Sequence, residues 1–272
     1  MTTAGARFGV KDGARFLPFD REFSLSTLWR ASEAELATLV RPEEMLDSSA
    51  GWQPLNPVPA PSKIVCVGLN YRDHADESGQ AAPKEPLLFA KFPSALVGPD
   101  DAISWPAGLT SQVDWEGELA VVVGATLSGA RPAECLDGVF GYTAANDVSA
   151  RDVQFGDSQW VRGKSIDTFC PVGPEVVTQS EFGDPQKKTL RTFVNGACMQ
   201  NGSTADMIFP VGELLSWISG QITLEPGDLI LTGTPPGVGA FRTPPVFLQP
   251  GDIVEIQIEG IGGLRSPVEG GR

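Results

Sequence analysis

The sequence predicts a strand-rich, mixed α+β fold, on three observations. Short apolar runs bounded by Gly, Pro or Asp recur along the chain, the signature of strands between tight turns. Few stretches carry helical spacing. Strands and helices do not alternate, so a doubly wound parallel sheet has no support. Gly (31) and Pro (23) exceed average usage and are spread along the chain, which means many turns. With 272 residues, 41% of them apolar, there is material for one large domain and a small appendage.

Taken in order, the first 58 residues form a small N-terminal domain, and 59–272 the main one. Residues 6–10 and 14–17 read as a hairpin, and 26–39 as a helix. Residues 43–46 read as a turn. Four prolines between 52 and 61 (Pro54, Pro57, Pro59, Pro61) mark an extended linker. Residues 63–68, 118–124 and 139–145 are apolar strand candidates. Asn195-Gly196 between the arms of 190–200 is a type I′ hairpin signal. Residues 209–219 read as a helix with Pro210 near its start. Residues 222–232 and 248–259 share x-P-G-D followed by an apolar strand.

Charge excludes some functions. Lys plus Arg is 20 against 34 Asp plus Glu, a formal net charge of −14. Such a chain repels phosphate backbones and anionic lipid surfaces, so neither nucleic acid nor membrane is expected as a partner. No apolar run approaches the ~20 residues of a membrane span. The opening MTTAGARFGVKDG shows no signal-peptide apolar region. Four scattered cysteines without a C-x-x-C pair suggest reduced thiols, and Cys170 reads as a core residue. A cytoplasmic setting is expected. One histidine in the whole chain argues against His₂ and Cys/His zinc sites.

Several segments carry residues suited to chemistry. In Trp115-Glu116-Gly117-Glu118, strand geometry would point Glu116 and Glu118 to one face. Adjacent carboxylates repel, and one must hold a proton unless a cation sits between them. Alone, the pair reads either as a solvated edge-strand face or as part of a cation site. Asn146-Asp147 ends another apolar run. If Asp147 meets the two glutamates, the result is an all-oxygen cage suited to Mg²⁺ or Mn²⁺. His74 and Glu77 are three apart. On a helix they share a face as an oriented imidazole, or simply decorate a solvated surface. Lys164 could steady an oxyanion, or be solvated. Residues 232–239, TGTPPGVG, lack a phosphate-loop or dinucleotide spacing and read as a rigid, anion-gripping loop.

In combination and order, these segments resemble the fumarylacetoacetate hydrolase family. The carriers are GLNYRDHADE (68–77), LFAK (88–91), DWEGELAVVVG (114–124), GYTAANDVSARDVQ (141–154), RGKSIDTFCPVGP (162–174), VNG (194–196) and LTGTPPGVG (231–239). The resemblance implies a β-sandwich roll with a small N-terminal domain, a homodimer, and a Mg²⁺ or Mn²⁺ site. It implies Glu116, Glu118 and Asp147 as metal ligands and His74 with Glu77 as a water-activating dyad on a lid. Lys164 would stabilise the oxyanion; Lys91, Arg151, Gln154 and Thr234 would hold the substrate. The sequence departs from the family in two places. Residues 64–71 lack the additional acidic ligand of some members, and Lys91 is followed by Phe92-Pro93 rather than directly by proline.

The implied substrate is a small anionic 2-oxo acid. The activity expected first is hydrolysis of a C–C bond in an acylpyruvate-type 2,4-dioxo acid through a metal-stabilised enolate. Oxaloacetate decarboxylation and 2-hydroxyhepta-2,4-diene-1,7-dioate-type isomerisation are the alternatives, followed by a catalytically silent homologue.

Overall fold

The computed structural model describes residues 7–19, 25–47 and 53–271. Residues 1–6 of the opening, including Ala6, which opens the expected hairpin, and Trp52, which opens the expected linker, lie outside them.

The N-terminal segment contains β1 (Gly9–Asp12), β2 (Arg15–Pro18), α1 (Leu25–Leu28), α2 (Glu33–Leu39) and β3 (Leu46–Asp47), with the strands in a three-stranded sheet. The single helix expected over 26–39 is therefore two. Ser32 is the reason: its hydroxyl accepts from Glu35 N–H while the Glu35 carboxylate takes Ser32 N–H, a capping box that starts a new helix. Between the two helices Trp29 turns inward and packs edge-on against Phe140, ring centroids 5.1 Å apart. The 53–61 stretch forms neither helix nor strand.

The chain continues through β4 (Ile64–Gly68), α3 (Arg72–Glu77), β5 (Leu87–Lys91), β6 (Leu96–Val97), β7 (Ile103–Trp105) and β8 (Val113–Asp114). Then come β9 (Gly117–Val123), α4 (Pro132–Asp137), β10 (Val139–Asn146), β11 (Ser149–Ala150), α5 (Arg151–Gly156) and α6 (Val161–Lys164). The last third holds β12 (Cys170–Thr178), α7 (Gln179–Phe182), β13 (Thr189–Val194), β14 (Ala197–Ser203), α8 (Val211–Ser219), β15 (Leu229–Leu231), β16 (Ile253–Ile258) and β17 (Gly262–Gly271). Asn195 and Gly196 both have positive φ, 51° and 79°, as the expected hairpin turn requires. The two x-P-G-D stretches yield shorter strands than expected, β15 and β16.

Two sheets build the body. One runs β5-β4-β15-β9-β10-β12-β6, the other β14-β13-β16-β17-β7, and β11 with β8 makes a short ribbon. Central β9 is antiparallel to both β10 and β15. Buried on both faces, it is a near-continuous apolar run rather than an alternating one. Leu119, Val121 and Val123 pack with Leu190, Ile256, Ile258 and Leu264 of the second sheet, a core that α8 closes with Leu214, Leu215 and Ile218. Ala120 and Val122 face the other way, into a core shared with Phe19, Leu28, Trp29 and Leu36 of the N-terminal segment. Among the described residues, the buried apolar side chains of that segment join the main sheet's core.

Candidate active site

The start of β9 fixes the two glutamates. Gly117 sits tight against the second sheet: a Cβ there would run into the Thr192 hydroxyl and lie 3.2 Å from Leu190. With that side closed, Glu116 and Glu118 flank Gly117 and serve the opposite face. The strand start is held further by Gln200, whose Oε1 accepts Gly117 N–H at 2.9 Å, and by Asn146, whose Oδ1 accepts Glu116 N–H at 3.0 Å. Asp147 follows β10 directly, and its own N–H donates to the Glu116 carbonyl at 2.9 Å. The pairing of β9 with β10 is what brings the three carboxylates together. β9 is not an edge strand, so the solvated-face reading of the pair does not hold.

One oxygen of each of Glu116, Glu118 and Asp147 lies within 4.8 Å of the others, and all three residues are buried. Lys164 Nζ donates to Glu116 Oε2 at 2.8 Å and to Asp147 Oδ2 at 2.7 Å. Lys91 Nζ donates to Asp147 Oδ1 at 2.5 Å and to the Val148 carbonyl at 3.1 Å. Arg151 Nη1 pairs with Glu116 Oε1 at 2.7 Å, and its Nε with Asp114 Oδ2 at 2.8 Å. Four buried carboxylates thus face three buried cations.

The titration of the pair splits as the crowding demands. Burial alone would raise the Glu116 carboxyl, but Lys164 and Arg151 beside it prevail and hold it at about 2. Burial raises Glu118 well above the carboxylate range, and Asp147 and Glu116 push it the same way. The Lys164 charge and the Gly233 N–H, which donates to Oε2 at 2.7 Å, offset this only in part. Burial would lower Lys164, but Asp147 and Glu116 override it and keep the ammonium charged. A buried all-oxygen trio, one member of which must otherwise hold a proton, suits a hard divalent cation. Mg²⁺ or Mn²⁺ fits Glu116, Glu118 and Asp147.

His74 sits on α3, the helix that begins three residues after Leu69, a non-glycine residue with φ 56°. Asn70 anchors that turn: its side chain donates to the Thr232 carbonyl at 2.8 Å and accepts Phe209 N–H at 2.8 Å. Half a turn on, His74 Nδ1 lies 3.2 Å from Glu77 Oε2. Glu77 in turn accepts Gly237 N–H at 2.9 Å from the 232–239 loop. Gly237 must be glycine: its φ is 107°, and a Cβ would run into the Met199 carbonyl. Phe241 lies against the imidazole, centroids 6.0 Å apart.

His74, Glu116, Glu118, Arg151, Gln154, Lys164 and Thr234 line one cavity of about 40 Å³, walled by Phe89, Trp160 and Phe241. Lys91 does not line it; its ammonium is spent beneath Asp147. Thr234 lines it, yet its hydroxyl proton goes to the Gly117 carbonyl at 2.8 Å and its oxygen accepts from Gln200 Nε2 at 2.7 Å. Sequence reasoning assigned no role to Asp114, Asn70, Asn146 or Gln200. Asp114, Asn70 and Asn146 lie inside the motifs quoted above, but a polar residue that serves backbone groups leaves no spacing to recognise.

A family model described as fumarylacetoacetate (FAA) hydrolase, C-terminal, matches residues 63–269. Oxaloacetate tautomerase FAHD2A, mitochondrial, from Bos taurus is 47% identical over 249 residues, covering 91% of this chain and 76% of that protein. Oxaloacetate tautomerase YisK from Bacillus subtilis is 46% identical over 215 residues, 78% and 71% of the two chains. Among solved structures, 2-hydroxyhepta-2,4-diene-1,7-dioate isomerase from Mycobacterium marinum is 42% identical with a TM-score of 0.77, covering 95% of this chain and 89% of that one. Fumarylacetoacetate hydrolase from Exiguobacterium antarcticum is 40% identical with a TM-score of 0.83, covering 98% and 95%. No helix among the described residues is long and apolar enough to cross a membrane. By sequence match and by fold, the chain belongs to the fumarylacetoacetate hydrolase family.

Proposed function

We propose that this enzyme, with a divalent metal, interconverts the keto and enol forms of oxaloacetate. The observation that carries the reading is convergence. An imidazole with a carboxylate behind it, a buried ammonium, a guanidinium, Glu116 and Glu118 meet at one small cavity, with a carboxylate oxygen of Asp147 within 4.8 Å of those of the two glutamates. That set suits proton transfer next to a carbonyl, with the enolate oxygen facing positive charge. Relatives at 46–47% identity named oxaloacetate tautomerase favour this reaction among those an enolate site can run.

Mg²⁺ or Mn²⁺ held by Glu116, Glu118 and Asp147 would supply Lewis-acid stabilisation of the enolate oxygen. His74 is the base. A proton on Nδ1, turned toward Glu77, leaves the Nε2 lone pair free to take a proton from C3 of the keto acid. The C3–H electrons become the C2–C3 double bond, and negative charge gathers on the C2 oxygen. Lys164 presents its ammonium to that oxygen and gives it a proton to form the enol; the His74 imidazolium then releases the C3 proton to solvent and Lys164 regains one from solvent, so the net change is one proton moved from C3 to the oxygen. Returning a proton from His74 to C3 restores the keto acid. Arg151 and Gln154 hold a substrate carboxylate. Lys91 orients Asp147 from beneath, and Thr234 shapes the wall. The proposal includes the homodimer that the family resemblance implies, testable by light scattering.

Acylpyruvate hydrolysis is the second reading. It is favoured by the His74–Glu77 dyad, which can activate water, and by the likeness to the Exiguobacterium hydrolase. The test is the decay of enol absorbance of freshly dissolved oxaloacetate with Mg²⁺, repeated with chelator, with pyruvate assayed in parallel. Metal-dependent acceleration without pyruvate supports tautomerisation. Pyruvate from oxaloacetate would establish decarboxylation instead, and pyruvate from acetylpyruvate alone would establish hydrolysis.

A further inference from the structure

Asp114 is fully buried and has no part in the chemistry above, yet all its hydrogen bonds bear on the site. Its Oδ1 accepts Trp115 N–H at 2.8 Å and Gly239 N–H at 2.7 Å. Its Oδ2 accepts Ala240 N–H at 3.0 Å and Arg151 Nε–H at 2.8 Å. Three of the four donors are main-chain amides from two separate segments, so the carboxylate cannot turn without losing them. The fourth bond fixes the Arg151 guanidinium.

With Nε held, Arg151 Nη1 lies 2.7 Å from Glu116 Oε1 and 3.0 Å from Gln154 Oε1. Nη2 is buried and has no hydrogen-bond partner. Arg151 lines the cavity. Arginine prefers two parallel bonds to one carboxylate. Released from Asp114, the guanidinium would turn to fork onto Glu116 and withdraw Nη2. We infer that Asp114 is a positioning residue for substrate recognition: it holds Arg151 so that Nη2 stays available to a carboxylate oxygen of the bound acid. This rests on the proposed reading of the cavity as a 2-oxo acid site.

The test is Asp114→Asn, which preserves shape but keeps one acceptor oxygen for four converging N–H donors and removes the charge that Arg151 Nε–H pairs with, so the hold on the guanidinium weakens. Two readouts are taken with Mg²⁺ present: steady-state kinetics on oxaloacetate and calorimetric binding of oxalate. The expected result is a KM and an oxalate Kd raised about tenfold, the scale of one charge-assisted hydrogen bond, with kcat within about threefold. In an Arg151→Lys background the same substitution adds nothing further. A merely structural role would lower Tm and leave KM and Kd unchanged. Unchanged oxalate affinity in folded Asp114→Asn, or an effect that adds fully to Arg151→Lys, would overturn the inference. If Asp114→Asn does not fold, the wild-type Arg151 Nε–H decides it by NMR, assigned by its loss in Arg151→Lys. Slow exchange with solvent is expected, and exchange as fast as at surface arginines refutes the assignment. A wild type that binds oxalate but leaves oxaloacetate unchanged would sink the tautomerase reading alone.

Discussion

Replacing Lys91 with methionine separates two roles for one lysine. The sequence motif expects Lys91 at the substrate; the structure puts its ammonium on Asp147, with the side chain fully buried. Methionine is close in length and fills the apolar path of the stem, so the change is mainly electrostatic. Removing one partner of a buried ion pair costs about 3–5 kcal/mol, because the other charge is left uncompensated. Asp147 still keeps Lys164 at 2.7 Å, which places the expected loss near the lower end, about 3 kcal/mol. Urea unfolding in chelator measures it as a shift in midpoint at constant m-value. Adding Mg²⁺ at 100 times its Kd should restore about 2.7 kcal/mol to any form that still binds it. If Lys91 instead gripped substrate, Lys91→Met would keep its stability and lose only KM. A loss below about 1 kcal/mol in chelator, within the range of an ordinary surface change, would refute the burial argument.

Further expectations follow from the same geometry. The raised Glu118 carboxyl carries a proton that a bound cation must displace, so Mg²⁺ affinity should climb as pH rises, about tenfold per unit until Glu118 ionises unaided. Calorimetry in two buffers of different ionisation heat should show proton release; a pH-independent affinity with none would remove Glu118 from the ligand set. His74→Ala should cut turnover by about 10²–10⁴ while leaving Mg²⁺ affinity unchanged, and a near-normal rate would remove it as the base. Trp29→Ala should cost about 3–5 kcal/mol in one cooperative urea transition, because Trp29 sits in the shared core. Two separate transitions would mean that the N-terminal segment folds on its own.

Much of the site was readable because its chemistry is written locally. Glu116 and Glu118 are two apart around a glycine, and His74 and Glu77 are three apart on a helix, so spacing alone aligns each pair. Asp147 joins them only through the β9–β10 register, which no local pattern specifies. The contact of Lys91 with Asp147 was illegible for the same reason: its partner lies 56 residues away. The long strand β12 was hidden by Pro171 and Pro174, which argue against a central strand. Pro174 falls where a register shift interrupts the pairing of β12 with β10. The break between α1 and α2 was legible in principle, since Ser32 and Glu35 have capping-box spacing, but the apolar periodicity across 26–39 obscured it.

The central claim is that the acidic trio and His74 together run proton transfer at C3 of a 2-oxo acid. Its most direct test is deuterium entry at C3 of oxaloacetate in D₂O, followed by NMR against the enzyme-free rate. Exchange is expected to be accelerated by the enzyme with Mg²⁺, abolished by chelator and by Glu118→Gln, strongly reduced in His74→Ala, and unaccompanied by pyruvate. Exchange that persists undiminished in chelator, or a wild-type enzyme that releases pyruvate without exchanging C3, would contradict it.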